Sequence, residues 1–185
     1  MAQTLSLMPD LGTTAPGFSL LDVVSGEFRA LDDLTGDMGT VIMFICNHCP
    51  FVLHVNEELV RLANDYSEKG ISFVAISAND AITHPEDGPE QMKEQAAAMH
   101  YPFPYLYDKS QAVAKDFKAA CTPDFFVYNS ALELVYRGQL DSSRPGNDIP
   151  VTGKDLRAAV DAVLKGSPLP VEQHPSIGCN IKWRG

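Results

Sequence analysis

Two continuous runs of apolar, largely β-branched residues dominate the first half of the chain. They span residues 40–45 and 71–76, and runs of this kind are typical of strands buried on both faces of a parallel sheet. Between them, apolar residues recur at gaps of three and four: Val52, Val55, Leu59, Leu62 and Tyr66. This spacing predicts an amphipathic helix that ends near Gly70. Residues 40–77 therefore form a predicted strand–helix–strand unit with a right-handed crossover.

The flanking segments carry weaker patterns. Short apolar and polar stretches broken by Gly and Ser favour a hairpin within residues 12–30, and residues 79–88 have the composition of a loop. Helices are predicted at 89–100 and 110–118, and short strands at 125–128 and 132–136. Thr152 and Asp155 resemble a capping box and predict a last helix that begins there. This helix is predicted to end at Gly166. A parallel half followed by an antiparallel pair predicts an α/β fold with a mixed central sheet and helices on both faces.

Length and charge narrow the class of protein. The 185 residues, 45% hydrophobic and 21% charged, predict one domain over residues 1–166 with a tail, 167–185, packed on it. The formal net charge of −10 argues against nucleic acid or an anionic membrane as a partner. The N-terminal residues lack the basic and apolar regions of a signal peptide. We therefore expect a cytoplasmic protein with reduced thiols.

The four cysteines point to one place in the chain. Cys46 and Cys49 enclose Asn47 and His48 where the first buried strand leads into the predicted helix. A helix N-terminus stabilises a thiolate, and a protonated His48 would stabilise it further and make the couple more oxidising. Because two intervening residues let the sulfurs meet, the sequence predicts a redox-active dithiol.

Pro50 leaves two assignments of the attacking thiol open. Proline is favoured at the first helical position, and the residue before it avoids the helical region. A helix that begins at Pro50 therefore makes Cys49 its N-cap and the better thiolate. If the helix begins near Asn47, Cys46 is the attacking thiol and Cys49 resolves the mixed disulfide, and this is the assignment we favour from sequence.

The motif Cys46-x-x-Cys49-Pro50, with Thr122-Pro123 before a later strand, resembles the thioredoxin superfamily. Residues 12–20 and 31–36 resemble its redoxin branch, the alkyl hydroperoxide reductase/thiol-specific antioxidant or peroxiredoxin-like type. The resemblance covers residues 12–164. It implies a thioredoxin-like three-layer α/β/α sandwich with an N-terminal β-hairpin extension. It also implies that Pro123 is cis and packs against the dithiol, while the Thr122 backbone binds a substrate strand.

The chain departs from the pattern of this superfamily in two ways. The buried acid usual six residues before the first cysteine is replaced by Thr40, and Asp124 is the substitute proton acceptor that we consider. The Pro and Thr of the peroxiredoxin signature are absent, although Cys49-Pro50 resembles the Cys-Pro pair of peroxiredoxins.

The leading hypothesis is a thiol–disulfide oxidoreductase without a cofactor. It would act on a protein or small-molecule disulfide and draw electrons from an external thiol donor. The resemblance and the motif assign catalysis to Cys46, Cys49, His48 and Pro123, and substrate contacts to Thr122, Asn47 and Pro50.

Two rival functions use the same residues. The first is a thiol peroxidase, in which a hydroperoxide oxidises Cys49 or Cys46 to a sulfenic acid. The second, of another class, is a non-catalytic metal-binding or redox-sensing module with Cys46, His48, Cys49 and Cys179 as ligands. We expect Cys121 to be a buried core residue and Cys179 to anchor the tail.

Overall fold

A computed structural model describes residues 3–169 and 172–185 of the chain. The strands are β1 (Gln3–Leu5), β2 (Ser19–Asp22), β3 (Phe28–Ala30), β4 (Gly39–Phe44), β5 (Ile71–Ser77), β6 (Tyr105–Tyr107), β7 (Cys121–Thr122), β8 (Asp124–Asn129), β9 (Leu134–Gly138) and β10 (Ile177–Asn180). The α-helices are α1 (Pro50–Ser67), α2 (Pro89–Ala98), α3 (Ala112–Asp116) and α4 (Lys154–Lys165). Within these ranges, no helix is both long and apolar enough to cross a membrane.

The central sheet is mixed and has seven strands in the order β3-β2-β6-β5-β4-β8-β9. β4 pairs in parallel with β5 and antiparallel with β8. Its residues are all buried and alternate between the two faces: Val41 and Met43 pack with α1, α2 and α4, whereas Ile42 and Phe44 pack with α3. The fold is the three-layer thioredoxin-like sandwich that the resemblance implies, and β2 and β3 form its N-terminal hairpin.

The start of α4 differs from the predicted capping box. The N-cap is Gly153, in the left-handed conformation, and no side chain caps it. The Asp141 carboxylate instead accepts the backbone N–H groups of Thr152 and Gly153, each at 2.7 Å. The capping box of Thr152 and Asp155 is therefore wrong, because a carboxylate distant in sequence serves these amides. The helix does end at Gly166, whose φ of 59° is the left-handed conformation expected there.

A second, three-stranded sheet has the order β1-β10-β7. β10 lies between the other two strands, antiparallel to both, with Cys179 opposite Thr122 and Asn180 opposite Cys121. The sequence pattern indicated none of these three strands. The segment predicted as a tail thus contributes a strand beside the residues that lead to Pro123, while its residues 170 and 171 lie outside the described residues.

Candidate functional site

The dithiol lies between the end of β4 and the start of α1. The helix begins at Pro50, and Cys49, with φ −71° and ψ 121°, is its N-cap. The positive end of the helix dipole therefore falls on Cys49. A helix start near Asn47, on which the choice of Cys46 as attacking thiol depended, is not observed.

The two thiols have opposite pKa shifts. Hydrogen bonding from Cys46, the largest influence, together with that from Cys179, lowers the pKa of Cys49 to about 5 although burial opposes it. The same contact with Cys49, followed by burial and the charge of Asp87, raises the pKa of Cys46 well above its usual range. These opposite shifts favour Cys49 over Cys46 as the thiolate of the pair.

A third sulfur lies against the dithiol. The Sγ of Cys179, on β10, is 2.7 Å from the Sγ of Cys49, and burial raises the pKa of Cys179 to about 12. Thr122 contacts the pair from β7: its carbonyl oxygen is 3.2 Å from Cys49 Sγ, and its Oγ1 is 3.4 Å from Cys46 Sγ. The sequence favoured an anchoring role for Cys179, with a metal ligand as the alternative, because a separation of 130 positions conceals this contact.

The Thr122–Pro123 peptide bond is cis, as the resemblance implies. The resemblance also leaves the Thr122 backbone open to a substrate strand, but in the structure Thr122 pairs with Cys179 of β10. Gly178 approaches so closely that a Cβ there would lie 1.9 Å from the Thr122 carbonyl oxygen. The edge expected to receive a substrate is thus occupied by the protein's own chain.

His48 is held by a buried carboxylate that the sequence analysis missed. Asp87 is fully buried, and its Oδ2 lies 2.5 Å from His48 Nδ1 and 2.7 Å from Asn79 Nδ2. Its Oδ1 accepts the Asn47 backbone N–H at 2.7 Å. One available signal was that the loops after the neighbouring parallel strands β4 and β5 meet at one edge of the sheet.

Asn47 and Pro50, both predicted to contact substrate, have different surroundings in the structure. The side chain of Asn47 is engaged within the protein, since it donates to the Glu86 carbonyl at 2.9 Å and accepts from the Tyr105 hydroxyl at 3.2 Å. Pro50 is exposed at the first turn of α1. Pro50 is therefore open to a partner, whereas Asn47 is half-buried and its amide is engaged within the protein.

Neither thiol of the pair is open to solvent. Cys46 is 2% exposed and Cys49 is 0% exposed. β10 covers Cys49 through Cys179, and a cleft lined by Phe51, Pro123 and Ile177 adjoins the other side of the cis-proline. In this conformation the protein's own residues therefore cover both sulfurs.

Asp124 and Cys121 flank Pro123 on either side in sequence. Burial raises the pKa of Asp124 well above its usual range, and neither carboxylate oxygen makes a well-aligned hydrogen bond within the described ranges. The groups that most shift the pKa values of Cys46 and Cys49 do not include Asp124. Burial and the Asp124 charge raise the pKa of Cys121 instead, whose thiol is fully buried, as a core residue would be.

A group of potential metal ligands overlaps the dithiol. Ligand atoms of Cys46, His48 and Asp87 all lie within 4.8 Å of one another. The set predicted for a metal is therefore only partly assembled, because Asp87 joins Cys46 and His48 while Cys49 contacts Cys179. Sulfur, nitrogen and oxygen ligands of this kind suit Zn²⁺ with a fourth position open.

Comparisons with known proteins agree with this architecture. The family model for the AhpC/TSA family matches residues 11–137. The structure of an uncharacterized conserved protein from Geobacillus kaustophilus is 60% identical with a TM-score of 0.98, covering 100% of this chain and 97% of that one. A hypothetical protein from Sinorhizobium meliloti 1021 is 49% identical with a TM-score of 0.96, covering 98% and 99%. Peroxidoxin BcpB from Mycobacterium tuberculosis, at 20% identity and a TM-score of 0.62 over 84% and 96%, has a similar fold. The comparison with curated proteins found no match.

Proposed function

Because the chain belongs to the AhpC/TSA family, we propose that it is a thiol–disulfide oxidoreductase that cycles the pair Cys46 and Cys49 between dithiol and disulfide. The observation that carries this proposal is the place of Cys49 at the N-cap of a helix, where hydrogen bonding from Cys46, three positions earlier, lowers its pKa to about 5. A low thiol pKa raises the fraction of nucleophile at neutral pH.

Cys49 is the attacking sulfur in this proposal, which reverses the order favoured from the sequence. Its thiolate displaces one sulfur of the substrate disulfide and forms a mixed disulfide, and the leaving thiolate takes the proton of Cys46. The Cys46 thiolate then attacks Cys49 Sγ, the second substrate thiolate leaves and is protonated, and the Cys46–Cys49 bond remains. Two electrons pass from the dithiol to the substrate; one of the two protons that the substrate thiols take up comes from Cys46 and the other from solvent, and an external thiol donor restores the dithiol.

His48 is the proposed relay for the Cys46 proton. One of its ring nitrogens lies within 4.8 Å of Cys46 Sγ, and Asp87 fixes the ring through Nδ1. A fixed ring keeps a general base within reach of the proton that it takes up. Asp124 has no part in this step, since it does not dominate the pKa of either thiol.

The test is dithiothreitol-dependent reduction of a protein disulfide, with three single variants compared with the parent. We expect Cys49→Ser to fall to the rate without protein. The Cys46→Ser rate should fall below that of the parent, because the mixed disulfide on Cys49 loses the thiol that resolves it in the proposed cycle. The matched control is Cys121→Ser, which removes a buried sulfur outside the dithiol and should retain the parental rate. Parental rates in both Cys49→Ser and Cys46→Ser would refute the proposal.

A thiol peroxidase is the second candidate, and the observation in its favour is again the thiolate at Cys49, directly before Pro50. A hydroperoxide would oxidise Cys49 to a sulfenic acid, and Cys46 would condense with it, releasing water. Stopped-flow consumption of hydrogen peroxide distinguishes the candidates. A rate no greater than that of free cysteine eliminates the peroxidase and leaves the oxidoreductase.

A further inference from the structure

We propose that Cys179 is a third redox-active cysteine, which exchanges the Cys46–Cys49 disulfide for a Cys49–Cys179 disulfide and thereby locks β10 over the edge beside Pro123. This inference rests on the proposed function, because the exchange begins from an oxidised Cys49. It adds a resting form in which the protein's own strand occupies the place of a substrate.

The position of the sulfurs carries the first step of the argument. Cys49 Sγ lies 2.7 Å from Cys179 Sγ and also accepts a hydrogen bond from Cys46. A disulfide bond is about 2.05 Å long, so that bond formation needs an approach of only about 0.7 Å. The closeness of these sulfurs favours a Cys49–Cys179 bond, and because Cys49 forms one disulfide at a time, this bond and the Cys46–Cys49 bond exclude each other.

The backbone of β10 carries the second step. Cys179 stands opposite Thr122, the residue before the cis-proline, in an antiparallel pairing. Gly178 is the residue that allows this approach, because any Cβ there would collide with the Thr122 carbonyl. β10 thus presents a cysteine to Cys49 from an extended strand that is paired with the edge of the site.

Hydrogen bonds beyond its C-terminal end and its pairing with β7 hold the strand in place. Beyond β10, the Lys182 backbone N–H donates to Asn79 Oδ1 at 2.8 Å, and its carbonyl accepts from the Asp80 N–H at 2.9 Å. These hydrogen bonds, with the two-residue pairing to β7, hold β10 in the dithiol form. A disulfide to Cys49 would add a covalent bond that a competing substrate strand could not displace.

The exchange balances without any external oxidant. The Cys179 thiolate attacks Cys49 Sγ, the Cys46–Cys49 bond breaks, and the Cys49–Cys179 bond forms. Cys46 leaves as a thiolate and takes the proton that Cys179 gave up, so that the number of disulfides does not change. The locked form returns to the cycle when an external thiol donor reduces the Cys49–Cys179 bond or when Cys46 reverses the exchange.

Tryptic mapping without reduction tests the exchange directly. Cys46 and Cys49 fall in peptide 30–61, Cys179 in peptide 166–182 and Cys121 in peptide 119–137. Oxidised parent protein should yield peptide 30–61 cross-linked to 166–182 alongside internally bridged 30–61. In Cys46→Ser, oxidation with glutathione disulfide should consume two of the three remaining thiols per chain and give the cross-link alone.

Two further variants serve as controls. Cys179→Ser should give only the internal bridge, and Cys121→Ser should match the parent. The inference is overturned if monomeric Cys46→Ser keeps its three thiols after oxidation, or if the parent yields no cross-link between 30–61 and 166–182. Failure of this exchange can be distinguished from failure of the proposed function. Without any cross-link to Cys179, the parent would still reduce a protein disulfide through Cys46 and Cys49.

Discussion

Replacing Gly178 with Ala perturbs β10 without touching any sulfur. A Cβ at this position would lie 1.9 Å from the Thr122 carbonyl oxygen, whereas ordinary contact begins at 3.4 Å. The two strands must therefore separate by about 1.5 Å, the difference of these two distances, because the Cβ is fixed to the backbone of β10 and the oxygen that it meets is backbone. Such a shift also increases the 2.7 Å separation of Cys49 and Cys179, so the substitution tests whether the strand controls access to the dithiol.

The expected cost follows from the contacts that hold β10 on β7. Two residue pairs align the strands, and the Ile181 N–H donates to the Ala120 carbonyl at 3.1 Å. A hydrogen bond of about 3 Å does not survive a further 1.5 Å. Loss of two such bonds costs about 1 kcal/mol each, and partial exposure of the buried Ile181 costs about 1 kcal/mol more. The free energy of unfolding should therefore fall by about 3 kcal/mol. For a chain of this size, that lowers the melting temperature by about 6–12 °C.

Two measurements check the Gly178→Ala prediction. Thermal unfolding by circular dichroism reports the stability. Iodoacetamide labelling of peptides 30–61 and 166–182 reports access, which should increase by up to about 100-fold if opening becomes easier by about 3 kcal/mol. Gly17→Ala is the matched control, because a Cβ at Gly17 meets nothing within 4 Å. If both variants melt and label like the parent, β10 does not guard the thiols.

Three further predictions concern titration and charge. With the pKa of Cys49 lowered to about 5, its thiolate stabilises the reduced fold fully above about pH 8.5 and not below about pH 5. The free energies of unfolding of the parent and of Cys49→Ala, measured in urea, should therefore diverge as the pH rises. A constant difference between the two proteins across this range would contradict the prediction. Asp87→Asn weakens the hydrogen bond to His48 and removes a negative charge that raises the pKa of Cys46. The rate of disulfide reduction should therefore fall, and the pH–rate profile should move to lower pH. Asp124→Asn removes a carboxyl whose pKa is raised by burial. The variant should therefore have a higher urea midpoint of unfolding than the parent at pH 8, and the same midpoint below pH 4. A difference in midpoint that is the same at every pH would contradict the assignment.

The hydrophobic pattern predicted the elements that position the dithiol. β4, α1 and β5 have strong, long patterns; the two strands lie within one residue of the predicted ranges, and α1 ends three residues before Gly70. The predicted strand 132–136 is observed as Leu134–Gly138, because Leu132 has a φ of 58° and its N–H donates to the Asn129 carbonyl, which extends the turn. Patterns of this kind therefore fix which elements exist more firmly than where they end.

Short strands and long-range contacts lie beyond such patterns. β1, β7 and β10 have two to four residues each, too few for an alternation to be recognised. The approach of Cys179 to Cys49 and of Asp87 to His48 depends on tertiary packing across 130 and 39 positions. The sequence could therefore locate the dithiol, but it could not show what covers and orients it.

The amide of Asn79 has a consequence for protein engineering. Its Nδ2 donates to the Asp87 carboxylate, and its Oδ1 accepts the Lys182 N–H, so one side chain joins the C-terminal segment to the loop of Cys46 and Cys49. Grafting the tetrapeptide Cys-Asn-His-Cys onto another scaffold of the same fold would transplant two sulfurs and leave their environment behind. A graft that keeps the function therefore has to include the loop of Asn79 and strand β10 together with the two cysteines.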